Sequence, residues 1–347
     1  MKIAGLDIGG ATTDLAVVEF SDSGDIKNIR VDYEYLPMWM EKENLGNVIK
    51  NMLGSDFNDL DALGVSMTAE LVDAYATKRE GVLDIVQKTR ELSDIEMGFV
   101  GQSGILEPKE VLGKPLEVAA ANWIATAPLA AMISPDCILV DTGSTTTDII
   151  PIKDGQECAR GRSDLERLAT GELVYTGLLR TNVATLVDRV PLQDIWVRVA
   201  SELFAITADV QVVLKNIGEK EYSCPTPDGS GESRTECMQR MARLVCSDLD
   251  VLTEEEVEEL ASYVYQKQLE RVAEALLEVA ENNDLDEVVV TGLGMNLVGR
   301  EAANLLGLKV TSMDELLTIE ECVAAPAVGT ALLMEEFLRS KLFNENI

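Results

Sequence analysis

The chain has no histidine, and cysteine, proline and aromatic residues are sparse: six Cys, ten Pro and 5% Phe, Trp and Tyr in 347 residues. Without imidazole there is no Ser-His or Cys-His nucleophile pair and no histidine ligand for zinc. Acid-base work therefore falls to Asp, Glu, Lys, Tyr, Cys or a metal-bound water. No CxxC pair occurs, and Cys224, Cys237 and Cys246 are separated by 12 and 8 residues, which fits no zinc pattern. The cysteines read as reduced thiols.

Positive charge is scarce as well. Lys and Arg number 29 against 61 Asp and Glu, a net charge of −32, so phosphate backbones and anionic lipid surfaces are repelled and neither nucleic acid nor membrane is an expected partner. The longest apolar stretch, Val118 to Ile133, contains Asn122, Trp123 and Pro128 and falls short of the ~20 residues of a membrane span. The opening MKIAGLDIGG has no apolar signal region, so the chain reads as cytoplasmic. Such acidity favours a saline cytoplasm over a merely acidic surface, and KCl is then expected to raise thermal stability by screening repulsion. The sequence is compatible with a homo-oligomer and does not specify one.

What the chain does have is length for about two domains of ~150 residues, and 46% apolar residues to give each a core. It also has an internal repeat. Asp7-Ile8-Gly9-Gly10-Ala11-Thr12-Thr13-Asp14 aligns without a gap on Asp141-Thr142-Gly143-Ser144-Thr145-Thr146-Thr147-Asp148, matching at five of eight positions. Apolar runs flank each copy, which predicts strand, tight turn, strand, and a duplicated α/β domain. Glycines and small hydroxyl residues let successive N–H groups converge on an anion, while an Asp at a strand end can hold a cation. Ordinary hairpins with Asx turns share this composition singly; the matched pair favours a phosphate cradle.

Between the copies, apolar spacing predicts helices over Leu45–Leu53 and Glu80–Leu92, strands at Ala62–Met67 and Phe99–Ile105, and a buried helix over Val118–Ile133 bent or ended by Pro128. After the second copy, Asp164–Arg180 and Arg198–Ile206 look helical, and Tyr222–Ser233 is a Pro/Gly loop. Thr253 and Glu256 form a capping box that opens a helix reaching about Asn282. Val288–Val290, the turn Thr291-Gly292-Leu293-Gly294, a helix Leu297–Leu306 and the strand Leu308–Thr311 make a βαβ unit with a Gly turn at a helix start. Trp123 and Trp196 read as core.

The two Asp turns resemble the paired phosphate motifs of the actin, Hsp70 and sugar-kinase superfamily, with Thr291–Gly294 where the adenosine motif would fall. Leu293 separates glycines that are usually adjacent there, a departure that weighs against ATP. DIGGATTD (7–14), MTAELVDAYATKREGV (67–82), AAANWIATA (119–127), DTGSTTTDIIPI (141–152), GRSDLERLATGELVYTGLLRTNV (161–183) and CPTPDG (224–229) resemble, over nearly the whole chain, the hydantoinase/oxoprolinase-like proteins of the tetrahydromethanopterin-linked one-carbon pathway.

That resemblance implies two duplicated actin-like, ribonuclease H-like α/β domains with a cleft between them: 1–134, with a C-terminal helix of about 325–347 packing back on it, and 135–324 with a helical insertion. It also implies a transferase of methanofuran biosynthesis. Such an enzyme joins 5-(aminomethyl)-3-furanmethanol diphosphate to the phenol oxygen of γ-glutamyltyramine and releases diphosphate. On that chemistry Asp7 and Asp141 are assigned to Mg²⁺, and Gly9, Gly10, Thr12, Gly143, Ser144 and Thr145 to the diphosphate, while Asp14 and Asp148 brace the turns through backbone hydrogen bonds. Glu70 is a candidate base for the phenol, a solvated surface glutamate being the alternative. Lys78, Arg162 and Arg180 are candidate partners of the diphosphate or the glutamyl carboxylates. A kinase or ATP-driven hydrolase, or a nucleotide-sensing scaffold, stays open beside the transferase.

Overall fold

A computed structural model describes residues 1–92 and 95–345, so positions 346 and 347 of the expected terminal helix lie outside the described residues. The chain divides into two compact units. The first comprises Met1–Asp136, Ile152–Asp164 and the chain from Met313 onward; the second comprises Cys137–Pro151 and Leu165–Ser312. Residues 152–164 thus belong with the first unit, and the return to it begins at Met313, a more interlaced division than cuts at 134 and 324.

In the first unit, β1 (Lys2–Ile8), β2 (Thr12–Phe20), β3 (Ile26–Tyr35), β4 (Ala62–Met67), β5 (Glu96–Gly101) and β6 (Gly104–Leu106) form one sheet in the order β3-β2-β1-β4-β5-β6. β1 to β3 run antiparallel, whereas β4 lies parallel to β1 and β5 parallel to β4. In the second unit β7 (Cys137–Thr142) and β8 (Thr147–Lys153) form the hairpin; β9 (Gln156–Glu157), in the stretch that belongs with the first unit, pairs with Ile152 and Lys153 at the end of β8. With β10 (Leu173–Val174), β13 (Glu287–Thr291) and β14 (Lys309–Ser312) the order is β10-β8-β7-β13-β14, and β7, β13 and β14 are parallel. The first five strands of one sheet and the five of the other therefore follow one plan: two antiparallel neighbours on one side of the central strand and two parallel strands on the other. β11 (Arg189–Leu192) and β12 (Ile195–Arg198) make a separate hairpin.

A row of glycines sets the packing of the first unit. Gly5, Gly64 and Gly98 are register neighbours across β1, β4 and β5. The C-terminal helix Ala325–Glu345 lies directly on them: a Cβ at Gly5 would fall 2.0 Å from the Ala327 carbonyl oxygen, and one at Gly64 2.9 Å from that of Thr330. The helix Asn122–Ile133 packs on the same helix at Gly329, where a Cβ would meet the Ala125 carbonyl at 1.8 Å. The second unit is held by the 30-residue helix Glu254–Asn283, opened by the reciprocal Thr253–Glu256 capping bonds and burying Val257, Leu260, Val264, Val272 and Leu276. Among the described residues no helix is long and apolar enough to cross a membrane.

Several expectations are corrected. The helix expected over Val118–Ile133 starts at Asn122 and runs to Ile133; of the two effects expected of Pro128, ending the helix does not occur. Of Asp164–Arg180 only Asp164–Ala169 is helical; Gly171 turns at φ +75° and Leu173–Val174 join the sheet. Arg198–Ile206 is not a helix either. Arg198 ends β12, and the helix Thr207–Val213 starts just beyond the segment, with every residue buried. The helix expected over Leu297–Leu306 is a π-helical turn, Met295–Gly299, running into an α-helix Arg300–Leu305. Trp123 is core at 2% exposure, but Trp196 stands 61% exposed beside the Tyr263 ring.

Candidate functional site

Both repeat copies fold into the same closed hairpin. The Gly9 N–H donates to the Thr12 carbonyl at 2.9 Å, and the Gly143 N–H to the Thr146 carbonyl at the same 2.9 Å. In each, the leading Asp sits at the end of the central strand, opposite a hydroxyl residue of the adjacent parallel strand: Asp7 faces Ser66 and Asp141 faces Thr291.

In the first unit the 9–12 turn is braced from the next segment, because Met38 N–H donates to the Gly10 carbonyl at 2.9 Å and Leu36 N–H to that of Ala11 at 2.8 Å. Asp7 is 7% exposed, and both of its oxygens are held, one by the Ser66 hydroxyl at 2.8 Å and one by the Asn122 amide at 3.3 Å. Thr330, from the terminal helix, donates to Ser66 at 3.1 Å. Asp14 lies opposite Asp7 across the hairpin. Its carboxylate accepts no hydrogen bond among the described residues, so the expected bracing role is not what it does. Burial, and secondarily the charge of Asp7, push it up to about 8.

Glu70 follows β4 on the turn Ala69–Leu71 and is fully buried; the alternative of a solvated glutamate does not hold. Neither of its oxygens has a hydrogen-bond partner. Lys78 Nζ stands 3.8 Å away and donates to Asp164 at 2.7 Å. Burial raises Glu70 to about 7, its own backbone N–H and the Lys78 ammonium opposing and Asp164 and Asp7 adding to the rise. Arg162 bonds Glu157 at 2.5 Å and lies over the Trp123 ring, 6.0 Å from its centre.

In the second unit the turn is wrapped by residues 177–180. The Gly143 carbonyl accepts from Leu178 at 3.0 Å, and that of Ser144 from Leu179 at 3.0 Å and Arg180 at 2.9 Å. Only glycine fits at 177, where a Cβ would fall 2.6 Å from the Ser144 carbonyl carbon. Arg180 is thereby fixed at the turn by its backbone, and its charge reaches Cys224, whose thiol burial pushes up to about 11. Gly292, at φ +86°, leaves room for Asp141: a Cβ there would stand 2.4 Å from Asp141 Oδ1. Gly294 N–H donates to the Thr142 carbonyl at 2.8 Å, so Thr291–Gly294 abuts the end of β7. Asp148 is held by Arg167 at 2.7 Å, a guanidinium only 2% exposed that also donates to the Glu172 carbonyl at 2.9 Å.

The predicted residues thus fall into two groups. Asp7, Gly9, Gly10, Thr12, Glu70, Lys78 and Arg162 lie in the first unit, and Asp141, Gly143, Ser144, Thr145 and Arg180 in the second. Ser66, Asn122 and Gly177 had not been singled out, although Asn122 and Gly177 stand within segments carrying the family resemblance. Thr330 gave no local signal. Among the described residues no three His, Cys, Asp or Glu side chains are arranged to hold a metal ion. The oxygen donors at Asp7 and Asp141 suit a hard cation that arrives with its phosphates and needs one or two carboxylates from protein.

Two sheets of one plan, each with an Asp-led glycine turn at the end of its central strand, give the chain an actin-like fold. The family model for hydantoinase/oxoprolinase matches residues 61–337, and the chain belongs to that family. It is 38% identical over 343 residues, 97% of this chain and 99% of the relative, to a (4-{4-[2-(gamma-L-glutamylamino)ethyl]phenoxymethyl}furan-2-yl)methanamine synthase of Methanocaldococcus jannaschii. A protein of the same name from Methanococcus vannielii is 37% identical over 213 residues, 60% of this chain and 96% of that one. Among solved structures, the activator of 2-hydroxyisocaproyl-CoA dehydratase from Clostridium difficile, with bound ADPNP, superposes with a TM-score of 0.50. It is 11% identical, covers 99% of this chain and 98% of that one, and shows the shared fold.

Proposed function

We propose that this chain is a transferase that forms the aryl ether for which its relatives are named. It joins the furanmethyl carbon of 5-(aminomethyl)-3-furanmethanol diphosphate to the phenol oxygen of γ-glutamyltyramine, in methanofuran biosynthesis. The observation that carries this reading is identity of 38% along 97% of the chain to a synthase of that ether. The relatives do not favour the kinase alternative.

The duplicated turns suit the chemistry. A furan ring stabilises positive charge at its methylene carbon, so the carbon–oxygen bond to diphosphate breaks readily and catalysis consists mainly of stabilising the leaving anion. In our reading the residues for binding diphosphate oxygens are the N–H groups and hydroxyls of Gly9, Gly10, Thr12, Gly143, Ser144 and Thr145, and Asp7 and Asp141 are the acids that would hold Mg²⁺. Mg²⁺, when bound, offsets the negative charge of the departing group. Arg180, fixed at the second turn, and Arg162 supply cations for the diphosphate or the glutamyl carboxylates. The phenol oxygen then attacks the methylene carbon as its proton leaves.

Incubation with both substrates and Mg²⁺, followed by mass spectrometry of the ether and assay of diphosphate, tests this. One diphosphate per ether, lost on chelation, is the expected result. ADP formation from ATP, or ATP binding tenfold tighter than diphosphate (about 1.4 kcal/mol), would instead make the chain a nucleotide enzyme.

A further inference from the structure

Glu70 is the most unusual side chain in the first unit: a carboxylate at 0% exposure whose two oxygens have no hydrogen-bond partner. Buried carboxylates without partners are expensive, and one that persists calls for a reason. It is also locked in. Gly81, in the first turn of the helix Lys78–Arg90, is seated against it so closely that a Cβ would lie 2.5 Å from the Glu70 carbonyl oxygen and 2.6 Å from its Cα. A sealed carboxylate does not touch a substrate phenol directly. Lys78 does have access: its side chain is 29% exposed, and its ammonium stands between Asp164, at 2.7 Å, and Glu70, at 3.8 Å.

We propose that Lys78 and Glu70 act as one base, in which Lys78 takes the phenol proton while passing one of its own to Glu70. The inference rests on the ether-forming reaction proposed above. The phenol O–H bond breaks and an Nζ–H bond forms; a second Nζ–H bond breaks and a carboxyl O–H bond forms on Glu70. The electron pair left on the phenol oxygen makes the bond to the furanmethyl carbon, and the pair of the broken carbon–oxygen bond leaves with diphosphate. Lysine ends the step as it began, and the proton rests on Glu70. Lys78 from its helix stands beside Glu70, with Asp164 on the same ammonium, and Asp7 on β1 adds negative charge from farther off. The two acids disfavour a third carboxylate nearby, and burial disfavours it further, so moving a proton from Lys78 to Glu70 removes a charge where charge is costly. Asp164 keeps Lys78 within reach throughout.

The test compares Glu70→Gln, Lys78→Met and Lys78→Arg with the wild-type chain on γ-glutamyltyramine and on its ring-difluorinated analogue, whose phenol is more acidic. Glutamine keeps the shape of Glu70 but accepts no proton. Arginine keeps the charge and the Asp164 pair but does not give up a proton at working pH. All three variants are expected to lose about 10²-fold in kcat/KM with the ordinary phenol, and less than about 3-fold with the fluorinated one, which needs little help from a base. Equal losses with both phenols, or full activity in Lys78→Arg, would overturn the shared base. Failure of the wild-type chain to form ether from either phenol would overturn the underlying reaction and this inference with it.

Discussion

The two hairpin turns share a closing hydrogen bond, a leading Asp and a trailing Asp, yet the trailing acids live in opposite electrostatic surroundings. Asp148 is matched by a buried arginine at 2.7 Å, whereas Asp14 faces Asp7 and holds its proton up to about 8. In one copy the trailing acid is ion-paired inside its own unit. In the first unit Asp14 lies opposite Asp7, and Lys78 stands between Glu70 and Asp164. The trailing Asp, identical in the two octapeptides, therefore meets a different charge environment in each copy.

The largest effect should come from the leading acids. Asp141→Asn is expected to lower turnover by about 10²-fold with melting unchanged, because in the reading proposed above it removes charge directed at the metal that would accompany the diphosphate. Asp7→Asn should match it. If both turns serve one diphosphate, the double variant will be scarcely slower than the worse single one; losses that simply multiply would separate the turns into two tasks.

The trailing acids should give effects of opposite sign. Asp148→Asn leaves the Arg167 guanidinium buried with less than it needs, and a loss of about 2 kcal/mol in urea unfolding is expected. Asp14→Asn should instead stabilise the chain at pH 8. Folding raises Asp14 from 3.8 to about 8, so the folded state binds the extra proton between those values. The wild-type chain therefore loses stability from this group as pH climbs from about 4 to about 8, and asparagine removes that loss. Unfolding curves of both variants at pH 5 and pH 8, in chelator, decide the matter. Destabilisation by both would erase the proposed asymmetry.

That asymmetry was not legible in the sequence, where the two octapeptides look interchangeable. The hairpins themselves were, because a tight turn between apolar strands is a local device. The Thr253–Glu256 cap was legible for the same reason. Arg167 lies 19 residues beyond Asp148 and was read, with Asp164–Arg180, as part of one long helix. In the folded chain Leu165 and Leu168 are 78% and 49% exposed while Leu173 turns into the sheet. Thr330 reaches Ser66, and through it Asp7, from 264 residues away, a contact fixed by the glycine row beneath the terminal helix rather than by any local pattern. Sequence places Glu70 just past a strand end; its complete burial shows only in the folded chain.

The smallest expected effect separates the turns at their glycines. Gly9 and Gly143 make the same closing bond, but the space beside them differs. A Cβ at Gly9 would lie 2.7 Å from the Thr12 carbonyl oxygen, the acceptor of that very bond, whereas at Gly143 the nearest atom stands 3.7 Å off. Neither glycine has positive φ, so the backbone angle itself tolerates alanine at both positions. Gly9→Ala must push the Thr12 peptide away and weaken the turn, which is expected to cost about 1–2 kcal/mol. Gly143→Ala fills open space and should change stability by less than about 0.5 kcal/mol. Because the Gly143 N–H remains in place, diphosphate binding followed by titration calorimetry should survive in Gly143→Ala and weaken in Gly9→Ala. Equal destabilisation of the two alanine variants would mean that the second turn is as tightly drawn as the first.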